Sequence, residues 1–195
     1  WVQDEIVTVR SVPHEMTIPR RLAGRYLKIE LLGISGSFDF VFDKLTFKTQ
    51  TSVTNEAPAL ASTTDPLVRD IYKVGLNTLK ECMQTVYEDG PKRDRRLWIG
   101  DLYLEALANA HTFKNHELTK HCLYLLAAFA NDEGLLHATL LEKPQPHPQY
   151  GTHTLDYCLI YNVALLEYLK ETGDRETAND LWPVVVSPIE LALRQ

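Results

Sequence analysis

The hydrophobic period of the chain changes once, and that change limits the folds open to it. From Arg25 to Thr51 apolar and polar residues alternate: Leu27, Ile29 and Leu31 against Lys28 and Glu30, then Phe38, Phe40 and Phe42 against Asp39, Val41 and Asp43. A period of two is that of half-buried antiparallel strands. The Gly33-Ile-Ser-Gly36 segment between the two runs predicts a hairpin turn, and Val7, Val9 and Val12 supply a further strand. From Asp65 onward the apolar residues recur at helical spacing instead. Between the two regimes, residues 52–64 lose all periodicity and are rich in small and turn-forming residues, as a linker is. The chain is thus predicted as an α+β multidomain piece: β unit 1–54, linker 55–64, helical unit 65–195.

Five helices are expected in the second unit. Asp65-Pro66 reads as an N-cap followed by proline at the first helical position, and Leu67, Ile71, Val74, Leu79, Cys82 and Met83 then trace an apolar stripe. A second helix runs from about Trp98 to Phe113 and a third from His116 to Ala130. Residues 135–150 hold Pro144, Pro146 and Pro148, which bars regular helix. A fourth helix spans about Thr154 to Thr172 and ends at Gly173; Asp174 starts a fifth, with a break expected at Trp182-Pro183 or Ser187-Pro188. Trp182 is expected in the core.

Composition narrows the function. A net charge of −6 argues against nucleic acid, because basic residues cluster only at 92–96. No stretch is long and apolar enough to span a bilayer. Cys82, Cys122 and Cys158 each lie in an apolar helical segment and read as small buried hydrophobes, not as a disulfide framework. The seven histidines lack ligand spacing, so neither a metal nor another cofactor is expected. The chain opens on Trp1, without initiator methionine or signal core, and closes inside an apolar helical pattern, as a piece of something longer would.

Residues 88–101, Glu-Asp-Gly-Pro-Lys-Arg-Asp-Arg-Arg-Leu-Trp-Ile-Gly-Asp, join the first two helices with far more chemistry than a turn requires. A charged loop is commonly a solvated turn laced with surface ion pairs. Here Asp89-Gly90-Pro91 fixes one end as a turn, and Trp98 stands where the next apolar period begins. Asp101 falls in the first turn of the next helix, where a negative charge suits the dipole. Carboxylates beside cations and an aromatic plate are what sugar chemistry uses: one acid protonates the leaving oxygen, others hold hydroxyls, a ring stacks.

With Trp98 and the Gly100-Asp101 pair, Asp-Gly-Pro-Lys-Arg-Asp-Arg resembles the motif of bacterial α-L-rhamnosidases of glycoside hydrolase family 78. The resemblance is dense over these residues and looser elsewhere. It implies a carbohydrate substrate and an (α/α)6 barrel with an acidic cluster at its mouth. It also implies that the predicted strands end a β-sandwich begun before Trp1. Asp94 matches the proposed general acid, Asp89 and Asp101 match carboxylates that contact the sugar, and Trp98 matches an aromatic of the sugar subsite. Asp94 stands where glutamate is usual, one carbon shorter, so the acid reaches less far unless the backbone sits closer. Arg93 would orient a carboxylate or hydroxyl.

The expected architecture is therefore a short β-sandwich remnant followed by a partial (α/α)6 toroid of about five helices. In a toroid, short turns join helices at one end and longer loops build the site at the other, so 88–101 and 135–153 would open on the same face. The second loop would deliver Tyr150, His153, Asp156 and Tyr157 to it, with Asp156 and Tyr157 as sugar contacts or, equally, as capping and core residues. The implied activity is inverting hydrolysis of terminal sugars, with the general base and the rest of the catalytic domain beyond Gln195 and the isolated piece inactive. Two other readings stand beside it: a noncatalytic carbohydrate-binding relative, and an α-helical protein-interaction scaffold, against which the lack of a repeated residue pattern counts.

Overall fold

The computed structural model describes residues 4–34, 36 and 40–194, and the chain divides into two compact units, residues 1–49 and 50–195. Among the described residues of the first unit no strand forms. The predicted hairpin is therefore not found there; its Ser35, Phe38 and Asp39 lie outside the described residues. A strand needs a neighbouring backbone for its N–H groups and a facing layer for its apolar side. Leu27, Ile29, Leu31 and Phe47 find no such layer and remain exposed. The alternation survives locally: the rings of Phe40 and Phe42 meet edge to face with centroids 5.0 Å apart.

The second unit is mostly helical, with one small antiparallel sheet. In chain order it forms α1 (Pro66–Cys82), β1 (Leu97–Trp98), α2 (Ile99–His111), α3 (His116–Ala127), β2 (Thr139–Leu141), β3 (His147–Pro148), α4 (Leu155–Thr172), α5 (Arg175–Asp180) and α6 (Trp182–Arg194). Local chemistry sets most of the ends. Asp65 caps α1 by accepting from the Leu67 N–H at 2.8 Å, with Pro66 behind it. Asn115 caps α3 through the Leu118 N–H at 3.2 Å. Gly173 ends α4 at φ +70°, its N–H reaching the Leu169 carbonyl at 2.8 Å, and Asp174 caps α5 through Thr177 N–H at 3.0 Å. The expected break in the last helical stretch falls before Trp182-Pro183, and Pro188 lies inside α6.

α2 packs principally on α4, and α4 also on α6 and α3. Ile99, Leu102, Leu123, Leu126, Leu136 and Tyr161 form the centre of this core, all essentially inaccessible. The three cysteines are buried and free. Two expectations about the core need correcting. Leu79, Cys82 and Met83 of the α1 stripe are buried, but Leu67, Ile71 and Val74 are exposed, because among the described residues no element packs over the first half of that helix. Trp182 is 60 % exposed, since the turn between α5 and α6 points its ring outward while Leu181 takes the core position.

The stretch read as a linker is tied to the helices at its start. Ser52 N–H donates to the Met83 carbonyl at 2.9 Å, Asn115 Nδ2 to the Ser52 carbonyl at 2.9 Å, and Asn55 Nδ2 to the Phe113 carbonyl at 2.9 Å. The three-stranded sheet, ordered β1-β2-β3, is absent from the sequence reading. Strands of two or three residues are too short to show a period, and Pro148 is accommodated because β3 is an edge strand. Among the described residues no helix is long and apolar enough to cross a membrane.

Candidate active site

The charged junction is folded back on itself by Asp89. Its N–H donates to the Arg96 carbonyl at 3.1 Å, and its Oδ1 accepts from the Arg96 N–H at 3.0 Å. The six residues between these clasps turn through Pro91 to Asp94, with Arg95 in the left-handed region at φ +54° and its Nε donating to the Pro91 carbonyl at 2.6 Å. The Asp89 side chain is 1 % exposed. Its second oxygen, Oδ2, makes no hydrogen bond and faces Arg93 Nη1 at 3.8 Å. Arg93 itself reaches into solvent, so this pair is a buried carboxylate held by an exposed cation.

The strand that follows joins this loop to the proline-rich connection. Leu97 pairs with Leu140 and Trp98 with Thr139, and the ladder continues as Ile99 N–H donates to the Ala138 carbonyl at 3.0 Å. Ala138 N–H in turn donates to the Thr152 carbonyl at 2.9 Å, which fixes the start of α4 beside the start of α2. Arg96 adds a side-chain bond to the Gln149 amide oxygen. Tyr157, in the first turn of α4, lies against Gly100, in the first turn of α2, and its ring stands 6.4 Å from that of Trp98, tilted by 49°.

Asp101 sits half-buried in the same first turn of α2. Burial raises its pKa above the usual carboxylate range, and the negative charge of Asp89 adds to this, while its own backbone hydrogen bond and Arg93 oppose it. Asp89, Arg93, Trp98, Asp101 and Tyr157 are thus gathered at one end of α2. Asp94 is exposed on the turn and Asp156 is exposed in the first turn of α4. Arg93 pairs with Asp89, and Arg96 with Gln149.

Three features were missed in the sequence. Glu88 is only 5 % exposed and lies beyond the end of α1. Glu105, one turn after Asp101, is half-buried with its Oε2 out of reach of solvent; desolvation, then the charges of Asp101 and Asp89, push its pKa up to about 9. Spacing i, i+4 from Asp101 was the available signal. His137 stacks on His153 with centroids 3.9 Å apart and meets the Tyr150 ring edge-on at 5.8 Å. Burial lowers the His137 pKa, and the charge of His153 lowers it further. No spacing in the sequence announces that contact, which depends on the His153 Nδ1 contact with the Leu136 carbonyl at 3.1 Å.

Residues 57–193, whose helices are joined at one end through the small sheet, match the family described as the bacterial alpha-L-rhamnosidase six-hairpin glycosidase domain. Residues 1–49 match the glycosyl hydrolase family 78 alpha-rhamnosidase N-terminal domain. The chain belongs to glycoside hydrolase family 78, the α-L-rhamnosidases. Among solved structures it is similar to a rhamnosidase from Klebsiella oxytoca with rhamnose bound, at 44% identity and a TM-score of 0.70 over 74% of this chain and 28% of that one. A family 78 rhamnosidase of Bacillus sp. GL1 shares the fold at 24% identity and a TM-score of 0.64, over 73% of this chain and 14% of that one. The chain thus spans less than a third of the length of either. No curated protein matches it.

Proposed function

We propose that the full-length protein is an inverting α-L-rhamnosidase that removes terminal rhamnosyl groups from glycosides or oligosaccharides. In this reading residues 1–54 are the last strands of a β-sandwich, 55–64 a linker, and 65–195 the first part of an (α/α)6 barrel. The observation that carries the reading is the pairing of β1 with β2, which brings Trp98 and Tyr157 together at the end of α2 that holds Asp101. A ring pair beside buried acids suits a pyranose with one apolar face and a rim of hydroxyls.

Asp94 is the general acid, reaching the glycosidic oxygen from its exposed turn. A second carboxylate, contributed from outside these 195 residues, activates water on the opposite face of the sugar, roughly 6.5–9.5 Å from the acid. Asp89 and Asp101 bind hydroxyls and stabilise the positive charge that develops at the anomeric carbon; Arg93 holds Asp89 in place, and Trp98, Tyr157 and Asp156 bound the sugar subsite. Buried carboxylates act strongly on such charge because little water screens them.

The test is turnover of aryl α-L-rhamnoside by the full-length protein, alongside a panel of other aryl glycosides, with product configuration followed by proton NMR. Release of β-L-rhamnose as first product is expected. Turnover of another sugar alone would overturn the substrate, an α-anomer as first product would overturn inversion, and binding without turnover would make the protein a carbohydrate-binding relative.

A further inference from the structure

The connection that brings β2 beside Trp98 also sets one histidine on another. His137 stands two residues before Thr139, and its ring lies on that of His153 with centroids 3.9 Å apart and planes tilted by 38°. Backbone groups hold both rings. His153 Nδ1 stands 3.1 Å from the Leu136 carbonyl, which can only accept, so this nitrogen carries the first proton and Nε2 takes any second one. His137, 5 % exposed, hydrogen-bonds to the Gln149 backbone. Its Nδ1 is buried and has no hydrogen-bond partner among the described residues. A neutral ring can leave that lone pair bare; an imidazolium would have to bury an N–H with no acceptor, at much greater cost.

The groups around the stack do not offset a second charge on it. Burial disfavours the proton on His137, the charge of His153 adds to this, and the Gln149 backbone opposes both; no carboxylate among the described residues acts on the ring. Tyr150, 83 % exposed, meets His137 edge-on at 5.8 Å. From α4, Cys158 donates its thiol to the same Leu136 carbonyl at 3.7 Å and is kept neutral by burial, while Asp156, which acts on Cys158, is itself exposed. Arg96, from the charged loop, reaches this connection through the Gln149 side chain and brings a positive charge. Two imidazolium rings at the observed spacing would repel through a poorly screened interior. The stack therefore suits one proton or none.

The stack also fastens the start of α4. His153 stands four residues before Tyr157 and next to Thr152, whose carbonyl accepts from the Ala138 N–H at 2.9 Å, so the ring contact is the side-chain half of a clasp between β2 and α4. We propose that the His137–His153 stack is an acid-sensitive latch on the sugar subsite, closed while the pair carries at most one proton and opened by the second. The idea rests on the rhamnosidase reading of this site and adds to it a pair of positioning residues that touch no substrate. When both rings are charged, His153 leaves His137 and the first turn of α4 loses its side-chain fastening. Tyr157 then loses its place beside Trp98, Tyr150 loses the ring it rests on, and the sugar is held less tightly.

Two measurements on the full-length protein test this. The first is the Kd of rhamnose by calorimetry as the pH falls through the histidine range, for the wild type, His137→Gln and His153→Asn; the asparagine keeps a donor for the Leu136 carbonyl. Relative to either variant, whatever its affinity at neutral pH, the wild-type Kd is expected to rise by up to about tenfold per pH unit, the limit for one linked proton. Protonation of Asp89 and Asp101 is common to all three proteins and drops out of that ratio. Parallel profiles overturn the proposal. The second follows the imidazole signals of protein labelled with nitrogen-15 histidine, with His137 assigned by its absence from His137→Gln or, if that variant does not fold, by its shift in His153→Asn. His137 is expected to titrate below the usual histidine range, and at higher pH once its neighbour is asparagine; an unchanged midpoint overturns the proposal. Because this readout needs no sugar, it decides the state of the stack even if rhamnose does not bind, an outcome that would sink the rhamnosidase reading on its own.

Discussion

Tyr157 occupies the space that a side chain at Gly100 would fill: a Cβ there would lie 2.9 Å from Tyr157 Cε1 and 3.3 Å from its hydroxyl oxygen. The first turns of α2 and α4 touch at this point, and Trp98 is the neighbouring ring. Gly100→Ala must displace the tyrosine ring, since the helix backbone cannot move without dragging β1. Crowding of this kind costs about 1–3 kcal/mol, offset by the roughly 0.5–1 kcal/mol that alanine gains over glycine in a helix. Stability should therefore fall by no more than about 2.5 kcal/mol in denaturant melts. Catalysis depends on placement at the ångström scale, so kcat/KM on aryl rhamnoside should fall about 100-fold. Equal, small losses in both would remove Tyr157 from the sugar subsite.

Asp94 and Asp89 should separate cleanly as variants of the full-length protein. Asp94 is exposed and Asp89 is buried with its backbone and Oδ1 both clasped to Arg96. Asp94→Asn is expected to lower kcat by about 10²–10⁴-fold, the usual worth of a general acid, with an unchanged melting temperature. Asp89→Ala removes an acceptor from the Arg96 N–H and should cost about 1–3 kcal/mol of stability as well as activity. An Asp94→Asn enzyme that keeps most of its kcat would move the acid to another residue.

The helices were legible where the sequence carried its own punctuation. Asp65-Pro66, Gly173 and Asp174 mark ends that need no tertiary help, and the structure uses all of them. The dense motif at 88–101 pointed to the right family because it is local in sequence. What could not be read were contacts between distant segments: the β1–β2 pairing, the His137–His153 stack and the burial of Glu88. Trp182 shows the converse failure, an aromatic residue whose period fits a core position but whose place after Leu181 turns it outward. The alternation before Thr51 predicts strands, and none forms among the described residues of the first unit, because pairing is a property of two backbones and the pattern speaks for one.

Asn109 holds the turn between α2 and α3 and should prove a point of stability rather than activity. It is fully buried, accepts from the Asn115 N–H at 3.0 Å and donates to the Asn115 carbonyl at 3.0 Å. Its own carbonyl accepts from Lys114 N–H at 2.8 Å, where Lys114 is held at φ +55°. Asn109→Ala leaves both Asn115 groups without their partner in a half-buried turn, at a cost of about 2–4 kcal/mol. Denaturation of the full-length protein should register that loss; a variant within 1 kcal/mol of wild type would mean that water replaces the amide, on the order of the net worth of one hydrogen bond.

Glu105 also predicts how stability varies with pH. Its carboxyl has an ordinary pKa of 4.5 when unfolded and about 9 when folded. Between those values the folded state binds the extra proton, so each rise in pH favours the unfolded state. The contribution is absent below pH 4.5, grows through the neutral range, and levels off above about 9. The steepest slope for one proton is about 1.4 kcal/mol per pH unit. Glu105→Gln has no such proton to lose. Its stability relative to wild type should therefore climb between pH 5 and pH 9, and the two proteins should run parallel above that. A constant difference across the whole range would place the Glu105 proton in both states or in neither.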